Sequence, residues 1–240
     1  MYLLEHRAAA LDNLYIFTGT QAIPENIRKL HPNLIVNATG FGPLLPPING
    51  LMDNIDKEGG NVYSILGMIS HINDFPQDLE GKKIAVIGGG AVGLDVVEFF
   101  AARKADISIV EMMDQIGRDL DPVTKNDMKC QMKAHGVHQL TKTALLEVKE
   151  HSFLVKRSEG AYELPFDYGF VCLGMRAKGQ LYPQLLDAFA DDDVEILNIG
   201  DSQRSRRIID GTKEHPVPSE SERLSGLIVT IPYQRISRRY

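Results

Sequence analysis

The sequence predicts an α/β protein in which helices alternate with the strands of a parallel sheet. The clearest signal is the run Ile84–Ile87, which contains only apolar residues. A run of this kind is typical of a parallel strand that is buried on both faces. Three glycines follow directly, and residues 91–104 then carry apolar side chains at helical spacing. The rest of the chain is best understood around this strand–turn–helix unit.

Length and composition narrow the classes of function. The 240 residues suffice for one large domain or two small ones. A net charge of −6 argues against a nucleic-acid partner or a membrane-surface role, and no apolar run is long enough to span a bilayer. Cys130 and Cys172 are the only cysteines, which excludes a CxxC redox centre and an iron–sulfur cluster held by this chain alone.

Two further sequence features concern location and metals. The N-terminal residues lack the pattern of a signal peptide, so we expect a protein of the reducing cytoplasm. His135 and His138 span a helix end and a strand, with no Cys or Asp partner at ligand spacing. We therefore predict no metal site.

Ahead of the glycines, short elements alternate with loops. Apolar spacing predicts helices over Met1–Ala10, Pro24–Leu30 and Tyr63–Ile72, and strands over Leu14–Phe17 and Leu34–Val36. Two stretches are predicted to be loops, the proline-rich Phe41–Gly50 and the polar Asp53–Gly60.

After the first helix, the pattern predicts a second buried strand, a helix and then a β-meander. Asp121 is positioned to cap the helix. The predicted strands are Ile107–Val110, Val137–Leu140, Ala144–Lys149, Ser152–Lys156, Ala161–Leu164, Phe166–Leu173 and Glu195–Ile199, with an edge strand at Leu227–Ile231. The predicted helices are Pro122–His135, Gln180–Phe189 and Arg206–His215.

Two of these glycines, together with Gly93, form the spacing Gly88-x-Gly90-x-x-Gly93 between a strand and a helix. In this arrangement the first glycine permits a tight turn, the second lets a pyrophosphate approach the backbone, and the third allows close packing of the helix on the strand. The free N–H groups of the helix N-terminus attract phosphate. A dinucleotide site is therefore predicted here.

Glu111 ends the second strand about 20 residues after the glycines, where an acid accepts hydrogen bonds from an adenosine ribose. A carboxylate at this place repels a 2′-phosphate, which favours NAD over NADP, although the same fingerprint also occurs in FAD sites. The predicted nucleotide site comprises Gly88, Gly89, Gly90, Ala91, Val92, Gly93, Glu111 and Met112.

The order of these motifs resembles the flavoprotein reductases with two dinucleotide-binding domains. The chain has a strand ending in Ala38-Thr39-Gly40, a proline-rich loop, the glycine fingerprint, a meander and a strand ending in Gly200-Asp201. In particular, it resembles the C-terminal part of NADH:flavin oxidoreductases of the 2,4-dienoyl-CoA reductase and 2-enoate reductase kind. The resemblance covers roughly residues 1 to 215.

The resemblance implies a Rossmann-like NAD(P)H-binding domain inserted in a partial FAD/NAD(P)-binding domain. The implied boundaries are 1–65 and 165–215 for the two FAD-type segments, 66–164 for the NAD(P)H-binding domain and 216–240 for a C-terminal tail. It also implies that Thr39, Gly40, Gly200 and Asp201 lie near a flavin.

The FAD domain of this family opens with its own GxGxxG, and this chain has no second copy of that motif. We therefore expect NAD(H) as a cofactor and FAD at a site that needs a missing N-terminal segment or a partner chain. The expected reaction is hydride transfer from NADH to flavin, in which no acid–base side chain is required and no catalytic residue is assigned. The alternative is a non-catalytic NAD-binding or interaction module without a complete FAD site.

Overall fold

The structure is a computed structural model, and it describes residues 6, 10–204 and 227–230. The helices in chain order are α1 (Pro24–Arg28), α2 (Leu51–Asn54), α3 (Ile65–Ser70), α4 (Ala91–Ala101), α5 (Pro122–Ala134) and α6 (Leu181–Ala188), and a 3₁₀ turn spans Gly200–Ser202. The strands are β1 (Leu34–Asn37), β2 (Phe41–Pro43), β3 (Val62–Ser64), β4 (Lys83–Ile87), β5 (Asp106–Val110), β6 (His138–Leu140), β7 (Ala144–Val148), β8 (Ser152–Arg157), β9 (Gly160–Pro165), β10 (Tyr168–Val171), β11 (Met175–Ala177), β12 (Glu195–Asn198) and β13 (Leu227–Thr230). No helix in the described part of the chain is long and apolar enough to cross a membrane.

The chain forms two compact units. Unit 1 comprises residues 1–40 and 177–240, and unit 2 comprises residues 41–176. The family resemblance implied domain boundaries at 65/66 and 164/165 instead. Those boundaries would cut one sheet, because β3 and β10 pair with each other and β10 also pairs with β4. Backbone pairing therefore keeps both strands in unit 2.

Unit 2 is built on a five-stranded parallel sheet in the order β3-β10-β4-β5-β6. Alternate residues of β4 enter two separate cores: Ile84 and Val86 pack into one, and Ala85 and Ile87 into the other. Burial on both faces explains why the run contains only apolar residues. The first core holds an aromatic cluster around Phe100, a side chain whose full burial contributes roughly 1.5–3 kcal/mol.

The meander predicted after the second strand is confirmed for its last three strands, whereas the first predicted strand, Val137–Leu140, is β6 and pairs in parallel with β5. Strands β7, β8 and β9 form a three-stranded antiparallel sheet in chain order. The helix before it begins as predicted, because the Asp121 carboxylate accepts hydrogen bonds from the backbone N–H groups of Val123 and Thr124, at 3.0 and 3.1 Å. These bonds satisfy donors that have no partner within the helix.

Unit 1 contains a parallel sheet in the order β12-β1-β13. Its core is small and lies between the helices and β1, with Ile27, Ile35, Leu185 and Phe189 buried together. The predicted edge strand near the C-terminus is confirmed over Leu227–Thr230, which pairs with β1.

The strand predicted at Leu14–Phe17 is wrong. These four residues are in no strand or helix, and their side chains are 44% to 77% exposed. A β-strand needs a neighbour to pair its backbone groups, and no described residue pairs with this segment. Apolar composition alone therefore gave a false signal. The predicted helix Met1–Ala10 lies outside the described residues except at residues 6 and 10, and the predicted helix Arg206–His215 lies outside them entirely.

Elements between β1 and β4 also differ from the expectation. Phe41–Gly50 and Asp53–Gly60 were expected to be loops, but β2 occupies the start of the first and α2 overlaps the second. The helix expected from Tyr63 begins at Ile65, because Val62–Ser64 is a strand paired with β10. Ser64 then caps the helix by accepting a hydrogen bond from the Gly67 N–H at 3.1 Å.

Candidate functional site

Gly88 makes the turn at the carboxyl end of β4. Its φ of +103° lies in the region that favours glycine. A Cβ built at this position would lie 2.2 Å from the Cys172 carbonyl oxygen, at the end of the adjacent strand β10. Both the backbone conformation and the close approach of two strand ends therefore require glycine here.

Gly93 and Gly90 meet different needs in the same turn. A Cβ on Gly93 would lie 1.9 Å from the Gly88 carbonyl oxygen, so the helix packs directly on the turn. A Cβ on Gly90 would meet no heavy atom within 4 Å. The space in front of the α4 N-terminus is thus open to a ligand. This arrangement fits a pyrophosphate, because the first N–H groups of α4 have no intrahelical acceptor and attract an anion.

The Glu111 carboxylate is fixed by backbone N–H groups. Its Oε2 accepts a hydrogen bond from the Gly89 N–H at 2.7 Å, and its Oε1 accepts one from the Met113 N–H at 2.8 Å. A carboxylate has about four acceptor sites, so about two stay available to other donors. That number matches the two vicinal hydroxyls of a ribose. A Cβ at position 89 would lie 3.0 Å from Oε2, a tighter contact than most, so the second glycine of the triplet favours this close approach.

The loop after Glu111 belongs to the same cluster, although sequence reasoning included only Met112. Met112, the residue after Glu111, is 69% exposed and has a flexible apolar side chain. Gly117 donates its N–H to the Gly89 carbonyl at 2.7 Å and has a φ of +65°. The signal in the sequence was the glycine itself, six residues after the acid, because glycine is a common turn residue.

Cys172 lies next to this turn but is not a candidate nucleophile. It is 7% exposed, and burial raises the pKa of its thiol to about 12, with a smaller contribution from the Asp95 carboxylate. The reactive form of cysteine is the thiolate, which is negligibly populated at neutral pH with such a pKa. The side chain serves as a small apolar group in the core.

In unit 1, two strands that run in parallel end side by side. Asn37 at the end of β1 is in register with Asn198 at the end of β12, and the Asn37 Nδ2 donates to the Asn198 Oδ1 at 2.8 Å. The buried Ser202 hydroxyl completes the network by contacting the Asn37 carbonyl and the Asn198 Oδ1, at 2.9 and 2.8 Å. Sequence reasoning missed this network, whose signal was an asparagine at the end of each apolar strand.

The remaining predicted residues follow these two strand ends. Thr39 and Gly40 come directly after β1, and the Thr39 hydroxyl donates to the Lys178 carbonyl at 3.3 Å. Gly40 has a φ of +73°, and Gly200, at the start of the 3₁₀ turn, has a φ of +61°. Asp201 is the next residue of that turn. The structure thus brings both segments to one edge of the sheet, where ligands of open α/β sheets bind.

Comparison with known proteins finds similarity to proteins named as oxidases and reductases. The chain is 28% identical over 194 residues to an NADH oxidase of Thermoanaerobacter brockii, covering 80% of this chain and 28% of that protein. It is 28% identical over 225 residues to a metal reductase of Desulforamulus reducens, covering 80% and 31%. The chain therefore spans less than a third of the length of these two curated relatives.

A 2-naphthoyl-CoA reductase, in a structure of its complex with 2-naphthoyl-CoA, shares the fold with a TM-score of 0.66 and 19% identity, over 84% of this chain and 28% of that one. The sequence model of the pyridine nucleotide-disulphide oxidoreductases matches residues 2–198. With its Rossmann-like parallel sheet and glycine turn, the chain belongs to the pyridine nucleotide-disulphide oxidoreductase family.

Proposed function

We propose that this chain binds NADH in unit 2 and takes part in hydride transfer from NADH to a flavin. The observation that carries the proposal is the Glu111 carboxylate, held at 2.7 Å by the Gly89 N–H within the glycine turn. That bond joins the proposed ribose acceptor directly to the proposed phosphate-binding turn. Pre-positioned groups bind more tightly, because less ordering is required on association.

The same geometry favours NADH over NADPH. The negative charge of Glu111 is anchored by two backbone donors, so the carboxylate cannot turn away from a 2′-phosphate without losing both bonds. Each such bond to a charged group contributes about 1.5–3 kcal/mol. We therefore infer that NADPH meets either repulsion between like charges or the loss of these bonds.

The edge of the unit 1 sheet is the proposed flavin side. Thr39, Gly40, Gly200 and Asp201 follow adjacent strand ends there, in the order that resembles 2,4-dienoyl-CoA and 2-enoate reductases. The only GxGxxG motif of the sequence lies in unit 2. We therefore propose that FAD is held jointly with a segment of a longer polypeptide or with a partner chain.

The flavin, when bound, would supply the acceptor for the hydride that leaves C4 of NADH, with NAD⁺ as the other product. The residues of this chain then have positional roles. The glycine turn holds the pyrophosphate, Glu111 orients the ribose, and the unit 1 strand ends face the flavin. This chemistry requires no side chain to donate or accept a proton.

The test adds NADH under anaerobic conditions to the purified chain with FAD kept in excess, and follows the loss of the visible flavin band against a mixture without protein. Bleaching that is faster with the chain than without it supports the proposal. Equal rates with and without the chain would contradict hydride transfer by this chain.

One observation favours a second candidate, a nucleotide-binding module without its own flavin chemistry. The fingerprint in unit 2 is complete, whereas the proposed flavin side has no glycine-rich fingerprint. The same experiment separates the two candidates. NADH binding with no acceleration of flavin bleaching by the chain would favour the module.

A further inference from the structure

A continuous apolar stretch of unit 1, residues 14–17, is exposed to solvent. Its side chains Leu14, Tyr15, Ile16 and Phe17 are 44%, 77%, 67% and 64% exposed, in that order. Because all four consecutive side chains are exposed, no face of this segment is packed against the described part of the chain. Single exposed apolar residues are ordinary on a protein surface, whereas a continuous group of large ones is typical of an interaction site.

The backbone of the 14–17 segment is also unpaired. In the described part of the chain, Tyr15, Ile16 and Phe17 make no backbone hydrogen bond, and the Leu14 N–H makes only a long one, at 3.4 Å, to the Leu11 carbonyl oxygen. Aromatic and β-branched residues favour strands, and unpaired N–H and C=O groups can bond to another strand. The segment therefore has both the side chains and the free backbone groups that a strand partner requires.

The sequence around the segment favours an identical copy as that partner. Residues 13–24 contain no charged side chain, so the segment carries no charge that would select an acidic or a basic surface and none that would repel its own copy. Residues 13–18 also lack proline and glycine. Short segments with high β propensity, low charge and no proline are those that pair with copies of themselves.

We propose that the 14–17 segment pairs antiparallel with the same segment of a second copy of this chain, about a two-fold axis between Tyr15 and Ile16. Two-fold dimers are the commonest form of self-association. In this register Tyr15 of one copy is opposite Ile16 of the other, and Leu14 is opposite Phe17. Each aromatic side chain thus faces an aliphatic one, and pairs of this kind stabilise neighbouring strands.

The exposed area of the segment sets the strength of this dimer. A buried aromatic side chain removes about 150–250 Å² from water, so Tyr15 and Phe17 offer roughly 200–350 Å² together at their observed exposures. Leu14 and Ile16 add a smaller aliphatic area. Stable interfaces of standard size bury about 800 Å² on each partner. We therefore expect a weak, reversible dimer whose proportion rises with protein concentration.

The experiment is sedimentation equilibrium of wild-type chain, Tyr15→Glu, Ile16→Lys and an equimolar mixture of these two variants. Alone, each variant places a charge opposite an apolar side chain of the second copy, so its dimer dissociation constant should rise at least about tenfold. In the mixture, the introduced carboxylate of one chain is opposite the introduced ammonium of the other. Association should therefore recover in the mixture, a result that requires the two segments to contact each other.

Met52→Lys provides the matched control. Met52 lies in α2 of unit 2 and is 67% exposed, the same fraction as Ile16. This variant adds the same charge at an equally exposed apolar position and should self-associate as wild type does. A wild-type chain that stays monomeric at every concentration up to its solubility limit would overturn the proposal. Equal weakening by Met52→Lys, or no recovery in the mixture, would overturn it as well.

Discussion

Gly93→Ala should destabilise the protein, whereas Gly90→Asn should leave it folded but unable to hold NADH. An Ala Cβ at 93 would lie 1.9 Å from the Gly88 carbonyl oxygen, and real Cβ atoms essentially never come closer than 3.0 Å. Because the obstacle is backbone, the helix or the turn must move by at least about 1 Å, an overpacking that costs about 3 kcal/mol. The better helix propensity of Ala returns about 1 kcal/mol, which leaves a net loss of about 2 kcal/mol.

Thermal unfolding followed by circular dichroism measures this loss. For a chain of this size, about 2 kcal/mol lowers the Tm by roughly 4–8 °C. Gly90→Asn should change the Tm little, because a Cβ there meets no atom, the φ is −78°, and Asn is a favoured residue at the N-cap. Its side chain fills the proposed pyrophosphate space, so the Kd for NADH should rise at least about tenfold. Equal stability of Gly93→Ala and wild type, or unchanged NADH affinity in Gly90→Asn, would refute this reasoning.

Three further predictions concern single side chains. Glu111→Ala should weaken NADH binding and reduce the ratio by which NADH is preferred over NADPH. It should also lower the free energy of unfolding by about 1–3 kcal/mol, because the buried Gly89 N–H loses its acceptor. Unchanged NADH affinity would show that Glu111 is not part of the ribose site. The pKa of Asp167 is held below its ordinary value in the folded state, chiefly by the hydrogen bond from the Lys83 N–H. The contribution of Asp167 to stability is therefore present above about pH 4 and is lost as the pH falls through the lowered pKa of the folded state. Asp167→Asn should therefore show a smaller fall in Tm on acidification than wild type does, and an identical acid profile would contradict this account. Cys130 is exposed and Cys172 is buried with a raised pKa, so a thiol reagent at about pH 8 should modify only Cys130 in the native protein; rapid reaction of both thiols would show that Cys172 is accessible.

Unit 2 could be predicted well from the sequence because its signals are local. The apolar run of β4, the glycine spacing and the acid at the end of β5 are each set by short-range geometry, and the structure places them as neighbours. Asp121 likewise signals the start of α5 through a hydrogen bond within its own helix turn. A residue type that the local backbone geometry requires can therefore be recognised from the sequence alone.

The misses arise where the outcome depends on distant partners. Leu14–Phe17 has strand composition, but a strand forms only with a paired neighbour, which the sequence pattern does not reveal. Val62–Ser64 joined a sheet through β10, more than 100 residues away in the chain. The network of Asn37, Asn198 and Ser202 also links segments about 160 residues apart. Non-local pairing of this kind leaves only weak traces in a single sequence.

The most direct test of the central claim is a calorimetric titration of the purified chain with NADH and, separately, with NADPH. The account predicts one NADH site per chain and an affinity for NADPH at least about tenfold weaker, which corresponds to about 1.4 kcal/mol. Absence of NADH binding, or tighter binding of NADPH, would contradict the assignment of the glycine turn and Glu111 to an NADH site.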